Sequence, residues 1–164
     1  MPKDIESVSV RWSELADGRL MLRFRVDGCQ SLVVPEFRGM GRNDDLWKTT
    51  CFELFLYDGE GRYREFNFSP SQQWAAYRFA GYRGQREDFE PAIPLEVQSD
   101  RGLSIFTLTT FISQKELEGA QSAALAAVLE EEGGRPSYWA LSHGSLKPDF
   151  HDPAGFRISL KGAA

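Results

Sequence analysis

The chain has 164 residues, of which 41% are hydrophobic and 26% charged, a balance typical of one globular domain and not of a disordered chain. Its formal net charge is -5, which argues against a nucleic-acid partner or an anionic membrane surface, because both require a basic footprint. The N-terminus has no apolar leader and no window approaches a membrane span, so we expect a cytoplasmic protein in which Cys29 and Cys51 stay reduced.

Two alternating segments open the chain. Residues 5–12 alternate apolar and polar side chains and predict a strand. After a turn signal at 16–18, residues 19–26 alternate again and predict its hairpin partner. Residues 31–34 indicate a third short strand, stopped by a proline. Residues 35–45 carry glycines and charges without periodicity and predict a loop.

The region from Asp44 to Arg83 concentrates the side chains that could recognise a ligand. Turn signals at 58–61 and 69–71 separate three segments that are rich in Phe, Tyr and Trp and alternate with period two. This pattern predicts a three-stranded meander. Its first segment is largely apolar on both faces, which is typical of a central strand.

Two registers are open for the first hairpin of the meander. A plain four-residue connection places Glu65 and Asn67 beside Phe52 and Leu54, whereas a one-residue bulge places them beside Glu53. In either register a carboxylate is carried on a strongly apolar hairpin, which is costly unless a hydrogen bond satisfies it.

The next part of the chain also predicts short strands that are separated by loops and turns. Residues 80–92 predict a polar loop, and strands are expected near 93–98 and 103–110 with a turn at 100–102 between them. Residues 113–117 have the capping-box spacing and predict one helical turn with Ser113 as its N-cap.

The C-terminal third contains a conflict. The segment GAQSAALAAVLEEEGG at 119–134 favours a helix by its alanine, leucine and glutamate content, but the neighbouring order of short strands favours a strand, which we expect at 124–130. Strands near 136–142 and 155–160 flank the last loop. The whole pattern predicts an all-β, antiparallel β-sandwich of nine or ten strands with at most one short helix, in a single domain spanning 1–164. Its exposed strand edges allow a homodimer, and the oligomeric state stays open.

The two histidines, His143 and His151, lie in one C-terminal loop with Asp149. One interpretation is a haem or metal site, because imidazole is the commonest metal ligand in proteins. The other is contact with a polar ligand or anchoring of the loop, because their spacing matches no standard zinc pattern. We predict no metal and no cofactor, with haem or metal binding through these histidines as the alternative.

The carboxylates Glu53 and Glu65 have two interpretations as well. A pair on adjacent strands has the arrangement of a glycosidase acid and base, which must lie roughly 5 to 10 Å apart. Alternatively, each carboxylate pairs with an arginine such as Arg64, Arg78 or Arg83. The chain contains no glycine-rich phosphate loop or G-x-S-x-G motif, so no catalytic residue is predicted.

Aromatic side chains complete the candidate site. Trp47 precedes a predicted strand and Trp74 begins one, so both are expected at strand ends, where a sandwich displays its loops. Sugar rings stack their apolar C–H faces on aromatic side chains, while Asn, Glu, Arg and His bind the hydroxyls. The predicted ligand-binding residues are Trp47, Lys48, Glu53, Glu65, Asn67, Trp74, Tyr77, Arg83, Trp139, His143, Asp149 and His151.

Three segments carry a resemblance to a known family. DLWKTTCFELFL at 45–56, YREFNFSPSQQWAAYRFAGYR at 63–83 and SYWALSHGSLKPDFHDPAGF at 137–156 resemble the bacterial DOMON-like domains of the carbohydrate-binding module family nine superfamily. The resemblance implies an immunoglobulin-like or jelly-roll β-sandwich with a non-catalytic role in binding sugar or haem. It also implies that Trp47 and Glu53 match the acidic strand motif and Trp139 the late strand.

Sugar-binding members of that family hold the ring between tryptophans, for which Trp47, Trp74 and Trp139 are the candidates here. Haem-binding members use a Met and a His as axial ligands, and no motif here places Met40 opposite His151. The resemblance therefore implies a stand-alone module that binds a carbohydrate or a similar polar ring. The alternatives are a haem- or metal-binding domain and a glycoside-acting hydrolase or lyase that uses Glu53 and Glu65.

Overall fold

The computed structural model describes residues 2–81, 85–134, 136–141 and 158–160. Within these ranges the chain forms twelve strands, two 3-10 turns and no α-helix. The strands are β1 (Ser7–Glu14), β2 (Arg19–Asp27), β3 (Gly41–Arg42), β4 (Cys51–Tyr57), β5 (Tyr63–Phe68), β6 (Gln73–Phe79), β7 (Arg86–Asp88), β8 (Glu96–Arg101), β9 (Ile105–Ser113), β10 (Ser122–Leu129), β11 (Ser137–Leu141) and β12 (Ile158–Ser159). The 3-10 turns are Leu46–Lys48 and Gln114–Leu117.

The strands form two sheets. The smaller sheet has the order β1-β2-β9-β8, and the larger has the order β11-β10-β4-β5-β6-β3, with β12 beside β10 and β7 beside β6. Every pairing is antiparallel except the two-residue contact of β3 with β6. The predicted all-β antiparallel sandwich is confirmed. Short strands that the sequence pattern does not reveal, such as β3 and β7, raise the strand number above ten.

The core lies between the facing sheets. Phe24 of the smaller sheet contacts Phe52 of the larger one with ring centroids 4.9 Å apart, and Phe106 of the smaller sheet stacks on Phe52 with centroids 6.1 Å apart. Burying each such side chain contributes about 1.5–3 kcal/mol. Because Phe52, Leu54 and Leu56 face the core, the alternate residues of β4 point to the outer face of the larger sheet.

Two predictions for the first half need correction. Residues 31–34 do not form a strand: only Leu32 makes an isolated bridge, with Glu131. The carbonyl oxygens of Cys29 and Leu32 accept hydrogen bonds from the Arg101 guanidinium instead of from a neighbouring strand. The predicted loop at 35–45 contains the short strand β3.

In the second half, the expected loop at 80–92 contains β7, and β8 runs through the expected turn at 100–102 as far as Arg101. The predicted turn at 113–117 is confirmed as a 3-10 turn, and Ser113 accepts a hydrogen bond from the Lys115 amide. The strand expected at 124–130 is confirmed as β10. Its position between β4 and β11 overrides its helix propensity, because a central strand is apolar on both faces.

Candidate functional site

The candidate site lies on the outer face of the larger sheet. Glu53 of β4 pairs with Asn67 of β5, and Phe55 pairs with Glu65. Of the two registers that were open, the structure has the one with Asn67 beside Glu53. Both carboxylates and the amide therefore point away from the core, on the same face of two neighbouring strands.

Small side chains flank this polar group. On the outer face Glu53 has Ala126 of β10 as its neighbour, and Ala140 of β11 lies beyond it. On the other side Asn67 has Ala75 of β6 as its neighbour. Alanine has a short side chain, so the outer face of the sheet is lower at these three positions than at the aromatic residues nearby.

The result is a groove of about 790 Å³, a volume within the usual range for small-molecule sites. Its lining consists of aromatic, acidic and basic side chains with two smaller apolar residues. These residues, which we call the outer groove, are Trp47, Lys48, Glu53, Phe55, Glu65, Phe79, Arg86, Val128, Pro136 and Tyr138.

Trp47 stands at the rim of the outer groove. It belongs to the 3-10 turn Leu46–Lys48, which follows Asp45 in the left-handed conformation. Its side chain is 47% exposed, so a large aromatic surface is accessible to a ligand. The neighbouring Lys48 is exposed, and its ammonium lies 3.5 Å from the Asp45 carboxylate.

The two carboxyl groups in the groove have unusual protonation. Glu53 is only 5% exposed, and burial together with the charge of Glu65 raises its pKa from 4.5 to about 8. Burial also raises the pKa of Glu65, but Asn67 and Arg86 oppose that rise. At neutral pH Glu53 is therefore mainly protonated and can donate a hydrogen bond.

The interpretation in which both glutamates pair with arginines is wrong for Arg64 and Arg78. Arg64 forms its ion pair with Glu116 at 3.0 Å, and the Arg78 guanidinium lies over the Phe89 ring. Both arginines lie on the core-facing side of their strands, opposite the face that carries Glu65. Throughout the described ranges, neither Glu53 nor Glu65 takes part in an ion pair.

Asn67 adds an unsatisfied amide. Its side chain is fully buried, and neither its nitrogen nor its oxygen meets hydrogen-bond geometry with a described neighbour. It lies close enough to Glu65 to lower the pKa of that carboxyl. Asn67 was predicted to contact a ligand, but its side chain has no accessible surface and does not line the outer groove, so it acts on the site through Glu65.

Two tyrosines flank the carboxyl groups. Burial, followed by the charges of Glu53 and Glu65, raises the pKa of Tyr138, which keeps its hydroxyl protonated as a donor. Tyr77 was predicted to contact ligand, but it is buried beside the groove and donates a 2.7 Å hydrogen bond to Asp44. The Arg86 guanidinium covers its ring at 4.4 Å. Tyr77 therefore supports one wall of the groove without lining it.

Two predicted tryptophans are corrected. Trp74 and Trp139 are 8% and 1% exposed and belong to the core. The Trp139 indole N–H donates to the Ser137 hydroxyl at 2.8 Å, and its strand position pairs with the core-facing Ala127. The three tryptophans therefore do not enclose a ring together, and we remove Trp74 and Trp139 from the site.

The remaining predicted residues fall elsewhere. Four predicted ligand-binding residues lie outside the described residues: Arg83, His143, Asp149 and His151. That they lie close to Glu53 and Glu65 stays a prediction. The parts of the chain that the structure describes contain no group of three or more His, Cys, Asp or Glu residues placed to hold a metal. Both cysteines are buried free thiols, and no helix in those parts is long and apolar enough to cross a membrane.

Several groove residues were absent from the predicted set. Phe55 shares the face of Glu53 by simple period-two counting, so the sequence held a signal for it. Phe79 is identifiable in the same way from Tyr77. Tyr138 lies on the face opposite Trp139, and the sequence does not say which of these two residues faces the core. Arg86 could not be identified from the sequence, because the residues around it do not alternate between apolar and polar side chains.

A second cavity of about 490 Å³ lies near Leu56, Arg64 and Ala120. Its charged lining is largely satisfied within the chain, since Arg62 pairs with Asp58 and Arg64 with Glu116. The outer groove is the better candidate because it is lined by the half-exposed Trp47 and by Glu53 and Glu65, which form no ion pair with a described residue.

Known proteins share the fold at low sequence identity. No family model and no curated protein matches the chain. The structure is similar to a crystal structure of a "putative carbohydrate-binding protein" from Bacteroides uniformis, with a TM-score of 0.57 and 15% identity, covering 94% of this chain and 86% of that one. A similarity at this identity establishes a common β-sandwich fold alone.

Proposed function

We propose that the outer groove is a non-catalytic binding site for a carbohydrate or a similar polar ring, in a cytoplasmic module of the DOMON-like type. The observation that carries the proposal is the half-exposed Trp47 at the rim of a groove that is lined by Glu53 and Glu65. The name of the structurally similar Bacteroides protein is consistent with a sugar ligand.

The chemistry of the groove suits a sugar ring. Trp47 offers an aromatic surface for the apolar C–H face of the ring. The protonated Glu53 can donate a hydrogen bond, and the Glu65 carboxyl can accept one. Each neutral hydrogen bond contributes about 0.5–1.5 kcal/mol.

Thermal-shift screening against neutral sugars and cyclic polyols tests the proposal. A bound ligand at about one hundred times its dissociation constant adds about 2.7 kcal/mol to the free energy of unfolding. Trp47→Ala should abolish the shift, whereas Leu103→Ala, which removes an exposed apolar side chain from the turn between β8 and β9, should leave it unchanged. If no sugar or polyol raises the melting temperature, or if Trp47→Ala binds as tightly as the wild type, the proposal is wrong.

A glycoside-acting enzyme is the second candidate, favoured by one observation. The pKa of Glu53 is raised to about 8 by burial and by the charge of Glu65, and a carboxyl that stays protonated near neutral pH can act as a general acid. Steady turnover of an aryl glycoside that is lost in both Glu53→Gln and Glu65→Gln would replace the binding module by an enzyme. Haem or metal binding through His143 and His151 stays a prediction that absorbance and elemental analysis of the purified protein test.

A further inference from the structure

Buried glutamates elsewhere in the described chain are matched by partners. Glu116 accepts from the Arg64 guanidinium at 3.0 Å and from the Ala92 amide at 2.8 Å. Glu131 accepts from two backbone amides near the N-terminus, both at 2.7 Å. Glu53 is buried to the same extent as these two, yet it has neither an ion pair nor a hydrogen bond of this kind among the described residues.

The difference between Glu53 and the two paired glutamates matches where each side chain lies in the fold. A buried carboxylate without a partner lowers stability by several kcal/mol, so folds either pair it or keep it neutral. Glu116 and Glu131 hold loops and termini in place, whereas Glu53 faces the outer groove. Because no described residue forms an ion pair with Glu53, a ligand in the outer groove can supply the partner of this carboxyl.

The two cationic side chains of the outer groove, Lys48 and Arg86, do not form an ion pair with Glu53. Lys48 lies against Asp45, and Arg86 covers Tyr77 and acts electrostatically on Glu65. Among the described residues, burial and the negative charge of Glu65 raise the pKa of Glu53, and no described cation opposes them. A positive charge placed beside Glu53 would offset both effects and lower the pKa of Glu53, so that binding of a cation releases the proton that this carboxyl carries in the free protein.

The aromatic walls of the outer groove also favour a positively charged ligand. Trp47, Phe55, Phe79 and Tyr138 surround the two carboxyls with aromatic rings. Aromatic faces attract cations through the ring quadrupole, and a carboxyl beside them strengthens the attraction. A ligand carboxylate or phosphate would instead add a third acidic group next to Glu53 and Glu65.

We propose that the outer groove selects a ring that carries a protonated amine, such as an amino sugar, with the ammonium beside Glu53 and the ring against Trp47. This inference rests on the proposed function and names its ligand class. The ammonium forms a charge-assisted hydrogen bond, which is roughly twice as strong as the neutral bond of a hydroxyl. The amine should therefore raise affinity by about tenfold over the matching hydroxyl.

Calorimetric titration at pH 6 with three matched trimers tests the inference. The trimers of glucosamine, N-acetylglucosamine and glucose have the same linkage and differ at one ring position, which is a protonated amine, a neutral amide or a hydroxyl. We expect the glucosamine trimer to bind at least about tenfold more tightly than the other two. Spermidine, an amine without a ring, is the fourth ligand and should bind weakly.

Variants assign the preference to the groove. Glu53→Gln should weaken binding of the glucosamine trimer by about tenfold and leave the glucose trimer within about twofold. Glu65→Gln tests the same point if Glu53→Gln misfolds. This variant should also reduce the preference for the glucosamine trimer over the glucose trimer. Glu14→Gln, which changes an exposed glutamate on the smaller sheet, is the matched control and should change neither affinity.

The outcomes separate the inference from the proposed function. If the glucose trimer binds as tightly as the glucosamine trimer, the amine preference is wrong and the sugar site stands. If no trimer binds, both are wrong. If spermidine binds as tightly as the amino sugar, a ring is not recognised and the inference is also overturned.

Discussion

Replacing Glu53 by glutamine should stabilise the protein, and by an amount that grows with pH. A carboxyl whose pKa is raised in the folded state binds more protons folded than unfolded, so stability is highest below the unfolded pKa and falls as pH rises through the folded one. For Glu53 that window runs from about pH 4.5 to about pH 8. Glutamine keeps the shape of the protonated side chain and has no charge to bury.

The pKa values set the size of the effect. A shift from 4.5 to about 8 implies that the stabilisation by Glu53→Gln relative to wild type grows by about 2.5 kcal/mol between pH 5 and pH 7. Coupling to Glu65 spreads part of this change over both carboxyls. The effect is large beside typical single substitutions, most of which destabilise.

Urea unfolding of wild type and Glu53→Gln at pH 5, 6 and 7 measures the difference directly, because pH effects of distant groups cancel between the two proteins. Glu116→Gln is the control, since its carboxylate is equally buried but bound to Arg64. That variant should lose about 3–5 kcal/mol of stability. If the difference between wild type and Glu53→Gln is flat from pH 5 to pH 7, or if the variant is less stable throughout, the description of Glu53 as a buried, unpaired acid is wrong.

Three further predictions concern the frame of the site. Trp47→Ala should change the free energy of unfolding by less than about 0.5 kcal/mol because its side chain is half exposed, whereas Trp139→Ala should cost about 3–5 kcal/mol, as measured by chemical denaturation. Gly28→Ala should destabilise by more than about 1 kcal/mol, because the residue has a φ of +83° and an added Cβ would clash with a backbone oxygen. Gly18→Ala has a similar φ and open space around it, so its thermal unfolding should change less. Arg64→Met should unfold at lower urea concentration than wild type, because it leaves a buried carboxylate unpaired.

The strands were predictable where one face is buried. Period-two alternation identifies β1, β2, β4 and β5 because their inward residues must be apolar for the sheets to pack. The very short strands β3 and β7 carry too few residues for any period to show. They form because neighbouring β6 offers free backbone groups at the edge of the sheet.

The site was predictable only in part. Glu53, Glu65 and Asn67 share a face by their positions, but the hairpin register depends on the length of the connection, which the turn residues do not fix. Trp139 lies in a strand that is apolar on both sides, so the sequence does not say which face reaches the core. Its pairing with Ala127 decides this, and that pairing is a property of the whole sheet.

Chemical-shift mapping by two-dimensional NMR tests the central claim most directly, because it locates a bound sugar without assuming its position. Titration with the tightest-binding trimer should shift the amides around Trp47, Glu53, Glu65 and Tyr138 and leave the smaller sheet unchanged. Shifts confined to the second cavity near Leu56 and Ala120, or to the smaller sheet, would contradict the assignment of the outer groove as the ligand site.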